Sequence, residues 1–280
     1  MREYPSPRAL LEAHGLRPKK GWGQNFLRER WVLDRIVAVL SPAPGERVIE
    51  LGAGLGHLSE RLLRAGADVV AVERDRDLVP ILESALPELC VVAADAKQVD
   101  LRTLAGGAEK IAVTGNLPYH LTSPILFHVL EYRTLVSRAV LMMQKEVAER
   151  LAAGPGSKVY GVLSVRFGLH ARCRIAFGVG PRAFVPQPKV TSSVVRIDFL
   201  ERPRADPGDP ALFRQLVKAA FGQRRKTLQN ALKSVADRAT LAKAFAEADI
   251  DPGLRAEQLP VEAFAALSRA LSSRGASPPR

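Results

Sequence analysis

Apolar residues along this chain alternate between two spacings. Short β-favouring runs occur at Val48 to Leu51, Val69 to Val72, Leu89 to Ala93, Lys110 to Thr114 and Ala139 to Met143. Between them, residues 57–65, 76–85 and 123–131 place apolar side chains at the three-and-four spacing of one helix face. Residues 28–40 do the same, with Trp31, Val32, Ile36, Val37, Val39 and Leu40 at roughly helical spacing. The Ser41-Pro42-Ala43-Pro44-Gly45 run ends that helix, because proline lacks the N–H that would continue it. Strands alternating with helices imply βαβ units, and hence a mostly parallel sheet with right-handed crossovers.

Beyond residue 200 the strand period disappears. The stretch from Glu201 to Pro210 is Pro-rich and reads as a linker, followed by short amphipathic helices predicted at 211–221, 225–235, 239–248 and 260–272. The expected organisation is a mobile segment over 1–17, an α/β domain over 18–203, a small helical domain over 204–272 and a disordered tail over 273–280.

In a parallel sheet, ligands bind beyond the carboxyl ends of the strands. Four strand ends carry polar groups there: Glu50 before Gly52-Ala53-Gly54-Leu55-Gly56, Glu73 before Arg74-Asp75, Asp95 within Ala94-Asp95-Ala96, and Asn116-Leu117-Pro118-Tyr119. A glycine loop lets backbone N–H groups approach a ligand closely. Its G-x-G-x-G pattern lacks both the dinucleotide spacing and a P-loop lysine, so alone it fits a dinucleotide, S-adenosylmethionine or a tight turn. Glu73 is placed to accept from two ribose hydroxyls and Asp95 from an adenine amino group. In the last stretch, Pro118 fixes its own φ and restricts Leu117. The Asn116 oxygen and a backbone carbonyl then form a rigid pair of acceptors beside the Tyr119 ring, which suits a planar group with an exocyclic NH2 such as adenine N6. The competing reading is a plain turn in which Asn116 caps a helix starting near Ser123.

Charge adds a partner to this picture. The net charge is +12 and the pI near 10.1, which points to an anionic partner, nucleic acid before membrane surface. Residues 31–132 carry 9 Lys and Arg against 14 Asp and Glu, whereas residues 133–200 carry 11 against 3. One half is acidic and the rest is basic. Lys19, Lys20, Arg182 and Lys189 are candidate phosphate contacts, as are Arg224, Arg225 and Lys226, whose place at a predicted helix start opposes the helix dipole and invites an anion. No run of about 18 apolar residues and no signal-peptide core are present, so a cytoplasmic protein that does not engage a membrane is expected. Cys90 and Cys173 read as reduced core residues, and the five histidines lack ligand spacing, so no metal is expected.

Four segments in order, G-Q-N-F-L at 23–27, N-L-P-Y at 116–119, F-V-P-Q-P-K-V at 184–190 and F-G-Q-R-R-K-T-L at 221–228, resemble the KsgA family of small-subunit ribosomal RNA adenine N6,N6-dimethyltransferases. The resemblance runs from about residue 17 to about residue 270. It implies a class I S-adenosylmethionine-dependent methyltransferase fold, Rossmann-like with a mostly parallel seven-stranded sheet, and a small all-helical C-terminal domain. It further implies S-adenosyl-L-methionine as methyl donor and the N6 of two adjacent adenosines near the 3′ end of 16S rRNA as acceptor. The partner would be an immature 30S particle, and the enzyme a monomer with a role in small-subunit biogenesis. By position, the resemblance assigns Asn25, Leu27, Gly52, Gly54, Glu73, Asp95 and Asn116 to the cofactor. Asn116, Leu117, Pro118 and Tyr119 would hold the target adenine, with Phe184 closing a sandwich against Tyr119. Trp22 and His120 depart from the family pattern. Two alternatives stand beside this reading: a large-subunit rRNA adenine methyltransferase of the macrolide-resistance type, against which F-G-Q-R-R-K-T-L argues, and a non-catalytic ribosome-assembly factor on the same fold. Loss of Asn116, Tyr119 or Glu73 would mark the latter, and none is lost.

Overall fold

The computed structural model describes residues 4–223 and 225–274; of Lys20 only the backbone is described. The chain forms two compact units, residues 1–148 with 174–199 and residues 149–173 with 200–280. The division expected from the linker is therefore interrupted: residues 149–173 belong with the helical unit. The reason is apolar, since Tyr160, Val165 and Leu169 share one buried cluster with Leu212, Phe213 and Phe264.

The first unit opens with α1 (Pro7–Ala13), capped by the Ser6 hydroxyl accepting from the Ala9 N–H at 3.2 Å. Leu10 and Leu11 are buried with Phe26, Leu55, Leu78 and Ile81. Residues 7–13, within the segment expected to be mobile, form a packed helix, because two adjacent leucines find an apolar patch that sequence neighbours do not reveal. Then follow β1 (Phe26–Leu27), α2 (Arg30–Leu40), β2 (Arg47–Leu51), α3 (His57–Arg64), β3 (Asp68–Glu73), α4 (Val79–Ala85), β4 (Cys90–Ala93), α5 (Leu101–Leu104), β5 (Ile111–Asn116), α6 (Thr122–Glu131) and β6 (Val136–Gln144). After α7 (Lys145–Ala152) and α8 (Val162–His170) come β7 (Ala171–Val179), β8 (Phe184–Val185) and β9 (Ser192–Phe199).

The main sheet has seven strands in the order β4-β3-β2-β5-β6-β9-β7. β4, β3, β2, β5 and β6 pair in parallel, and β9 runs antiparallel to β6. Strands β2, β3 and β5 are buried almost throughout, the signature of a sheet covered on both faces. Each fully buried Val, Leu or Ile contributes about 1.5–3 kcal/mol. On α2 the buried face is Val32, Leu33, Ile36 and Leu40, while Trp31 is 53% exposed. Helical spacing places Trp31 on the flank of the stripe beside Arg35. Cys90 is likewise exposed.

The second unit adds α9 (Pro210–Gly222), α10 (Leu228–Ala231), α11 (Arg238–Glu247) and α12 (Val261–Ser272). The helix expected over 225–235 is only α10 followed by a single 3-10 turn at Leu232–Ser234. Thr227 is extended, and the N–H groups of Leu228 and Gln229 are taken by the carbonyls of Leu254 and Pro252, so the helix starts late. The tail expected over 273–280 lies, from residue 275, outside the described residues.

Candidate active site

The carboxyl ends of β2, β3, β4 and β5 open onto one cavity of about 200 Å3. Asn25, Leu27, Gly52, Gly54, Glu73, Asp95, Asn116, Leu117, Pro118 and Tyr119 all line it. Residues distant in sequence are brought together here because parallel strands with short loops present every strand end on one edge.

Glu73 is held from both sides. The Gly54 N–H donates to its Oε2 and the Asp75 N–H to its Oε1, each at 2.8 Å. Burial raises its pKa, opposed by these backbone donors. Each oxygen keeps a second lone pair, which suits a bidentate acceptor for vicinal hydroxyls. Asp95 Oδ1 accepts from the Lys97 N–H at 3.1 Å, and its Oδ2 pairs with Arg74 at 3.3 Å. A methyl group placed on Gly52 would meet the Asn116 carbonyl oxygen at 3.7 Å, so the glycine loop and the fourth strand end face each other.

Asn116 decides between the two readings of its tetrapeptide. Its Nδ2 donates to the Asn25 carbonyl at 2.9 Å, and α6 begins at Thr122 with Leu121 in the cap position and no side-chain cap. Asn116 therefore caps no helix. With its amide nitrogen committed, Oδ1 is the free acceptor, and among the described residues nothing donates to it or to the Leu117 carbonyl. The Leu117 N–H donates to Met142 on β6, and the Pro118 carbonyl accepts from Leu121 N–H and the Thr122 hydroxyl, which locks the turn. The Tyr119 hydroxyl shares a 2.7 Å hydrogen bond with Ser192 on β9, a partner no sequence spacing reveals.

Some sequence-derived assignments change. Phe184 does not line the cavity: it is 1% exposed within the apolar cluster that includes Leu27. Pairing of β8 with β1, Leu27 opposite Phe184, turns the ring inward, so in this conformation no face is open to a base. Lys19 is not a free phosphate contact, because its Nζ pairs with Asp75 at 2.5 Å and Asp77 at 2.6 Å. Burial pushes the Asp75 carboxyl up, but hydrogen bonds from Lys19, the Asp77 N–H and Gln24 outweigh it and hold the carboxyl below its usual range. Arg182 and Lys189 are exposed, as are Arg225 and Lys226 in the second unit. Arg224 and the Lys20 side chain lie outside the described residues. No described helix is long and apolar enough to cross a membrane, and among the described residues no group of three or more His, Cys, Asp or Glu is placed to hold a metal.

Glu50 is a site residue whose state only the fold reveals. It is 2% exposed and lines the cavity, with the Ser59 hydroxyl donating to it at 2.5 Å. Burial pushes its pKa up to about 8; the Ser59 hydrogen bond opposes this and the nearby Glu73 charge adds to it. The folded chain thus binds this proton more tightly than the unfolded chain, and stability is lost as pH rises from about 4.5 through about 8. Glu50→Gln is expected to flatten the fall in urea-derived stability across that window, by at most ~1.4 kcal/mol per pH unit. An unchanged slope would mean that Glu50 is ionised at neutral pH.

A carboxylate for vicinal hydroxyls, a second carboxylate one strand away and apolar walls between them suit an adenosine-type cofactor. Comparison with known proteins agrees. The family model described as Ribosomal RNA adenine dimethylase matches residues 15–273. The chain is 53% identical over 281 residues to the ribosomal RNA small subunit methyltransferase A of Anaeromyxobacter sp. (strain K), covering 96% of this chain and 98% of that protein. It is 50% identical over 270 residues to the protein of the same name from Myxococcus xanthus (strain DK1622), covering 95% of each. The structure resembles a dimethyladenosine transferase from Plasmodium falciparum with a TM-score of 0.76, covering 90% of this chain and 98% of the other; at 24% identity this likeness concerns the fold. It also resembles the 23S rRNA methyltransferase ErmE, with a TM-score of 0.67 and 26% identity, covering 89% of this chain and all of the other (100%).

Proposed function

We propose, because the chain belongs to the ribosomal RNA adenine dimethylase family, that its cavity carries out the family's reaction on small-subunit rRNA. The chain is an S-adenosylmethionine-dependent rRNA adenine N6,N6-dimethyltransferase of class I fold. Its acceptors on this reading are two adjacent adenosines near the 3′ end of 16S rRNA in an immature 30S particle, met by a cytoplasmic monomer. The observation that carries the reading is the Asn116 amide: its nitrogen is committed to Asn25, which leaves Oδ1 and the Leu117 carbonyl as paired acceptors at the rim of a cavity that also holds Glu73.

Glu73 would hold the ribose hydroxyls of the cofactor, Asp95 its adenine amino group, and Asn25, Leu27, Gly52 and Gly54 its flanks. When bound, S-adenosylmethionine supplies an electrophilic methyl on sulfur. The adenine N6 lone pair is delocalised and weakly nucleophilic. Asn116 Oδ1 and the Leu117 carbonyl accept the two N6 hydrogens, draw the nitrogen toward tetrahedral geometry and turn its lone pair out of the ring plane. Positioning and electrostatics supply the rate, and no strong base is required because the alkylated nitrogen is acidic and gives its proton to water. Tyr119 offers a stacking face to the extruded base, with Pro118 holding the turn; base stacking of this kind contributes about 1–3 kcal/mol. Phe184 would join only by leaving the core. Arg182, Lys189, Arg225 and Lys226 are the exposed cations assigned to the RNA backbone.

The large-subunit alternative is disfavoured because relatives at 50% identity and above carry the small-subunit name. The test is radiolabelled methyl transfer to immature small subunits and to large subunits, with the modified nucleotides mapped. Label on two adjacent small-subunit adenosines is expected, and label confined to large-subunit RNA would overturn the assignment. In RNA-binding titrations at several salt concentrations, Arg225→Ala with Lys226→Ala is expected to weaken binding and to lower its salt slope by about one to two. An unchanged slope would remove those two residues from the RNA path, and a light-scattering mass of two chains would remove the monomer.

A further inference from the structure

Trp22 is 37% exposed on a short helical turn at Lys20–Trp22, and it lines the cavity. Its ring is not loose. The Arg74 guanidinium carbon lies 4.4 Å from the ring centroid and Lys19 Nζ 5.0 Å. Arg74 follows Glu73 at the end of β3, and its Nη1 reaches Asp95 at the end of β4, 3.3 Å away. Trp22, Arg74, Ala94 and Asp95 therefore line the same end of the cavity, one strand beyond Glu73. The stretch that carries Trp22 is fastened at both sides. Lys19 pairs with Asp75 and Asp77, the Lys19 N–H donates to Gln24 Oε1 at 2.8 Å, and Gln24 Nε2 donates to Asp75 Oδ2 at 2.7 Å.

A nucleoside whose ribose sits on Glu73 extends its base toward the next strand end, where Arg74 and Asp95 stand. A guanidinium is planar and weakly hydrated, and it stacks on aromatic rings in a way that an ammonium does not. Here one side of it is covered by Trp22 and its edge is paired with Asp95, so its plane is set before any ligand arrives. On the reading that this cavity holds S-adenosylmethionine, we propose that Trp22 and Arg74 form a stacked pair that is the outer wall of the adenine subsite and sets the affinity of the chain for adenine nucleosides. The pair stands at the opposite end of the cavity's strand series from Asn116, so its effect falls on cofactor binding and not on the transfer step.

The chain has only two tryptophans, and Trp31 does not line the cavity, so Trp31→Phe leaves Trp22 as the single fluorescent reporter. Titration of that variant with S-adenosylhomocysteine, or with adenosine alone, is expected to change Trp22 emission saturably, and homocysteine is expected to leave it unmoved. Trp22→Ala and Arg74→Ala are each expected to raise the calorimetric Kd for S-adenosylhomocysteine and the KM for the methyl donor by about tenfold, with the effect on kcat held to about twofold. Arg74→Lys, which keeps the charge and loses the plane, is expected to behave like Arg74→Ala. If S-adenosylhomocysteine binds by calorimetry while Trp22 emission stays constant and the variants keep the parental Kd, the wall is overturned and the cofactor reading stands. If S-adenosylhomocysteine fails to bind the unmodified chain, the cofactor reading falls and the wall with it.

Discussion

Asn116→Ala is expected to lower kcat for methyl transfer by about 100- to 1000-fold while RNA binding stays near that of the parent chain, the scale seen when one preorganised polar group is removed from a reacting centre. Two losses combine in this variant. The Oδ1 acceptor that pulls on one N6 hydrogen disappears, and the Nδ2 bond to the Asn25 carbonyl goes with it, so the stretch after Gly23 loses its tie to the end of β5. Asn116→Asp separates them, because it keeps an acceptor but cannot donate to Asn25. Single-turnover methylation together with RNA affinity at fixed salt is the measurement. Activity of Asn116→Ala within about threefold of the parent would remove Asn116 from the reacting centre, since one lost charge-stabilising contact costs far more than that.

Gly115→Ala is expected to destabilise the first unit by about 3 kcal/mol or more, a size reserved for a steric conflict that the backbone cannot relax. Gly115 sits at φ 159, and a Cβ there would lie 2.3 Å from the Leu51 carbonyl oxygen. β5 and β2 pair in parallel with Thr114 opposite Glu50, so the clash falls where these strands deliver the glycine loop and Asn116 to the site. Relief would part the strand ends and shift both. Gly107→Ala is the control, because φ there is +87 but nothing lies within 4 Å of the added methyl, leaving only the left-handed backbone cost of about 1–2 kcal/mol. Urea denaturation followed by far-UV circular dichroism reads both variants. Equal losses at the two positions would show that the approach of Gly115 to Leu51 is not a structural constraint.

The order of elements from α2 to β6, apart from the one-turn helix α5, was legible in the sequence because a helix or strand is recorded in the spacing of its own side chains, three to four apart or two apart. The strand ends were legible for a related reason. Once the strands are placed, Glu50, Glu73, Asp95 and Asn116 must emerge on one edge, and chain order alone carries them there. What spacing cannot record is which distant surface a side chain meets. Leu10 and Leu11 read as part of a loose terminus until Phe26, Leu55 and Ile81 cover them. Cys90 reads as core and faces solvent. The segment 149–173 precedes the linker in sequence yet shares its buried face with helices that follow it.

The same limit governs the site. Sequence by itself determined the glycine loop, the four polar strand ends and the Pro-locked turn at 116–119, since each is a local pattern with a local physical reason. Tertiary structure alone decided that the Asn116 amide is spent on Asn25 and not on a helix cap, that Lys19 is neutralised by Asp75 and Asp77, that Phe184 faces the core, that burial raises the pKa of the Glu50 carboxyl, and that Trp22 lies on Arg74. Hydrogen-bond partners, charge compensation and burial are properties of pairs far apart in the chain, and they come into being only when the fold brings those pairs together.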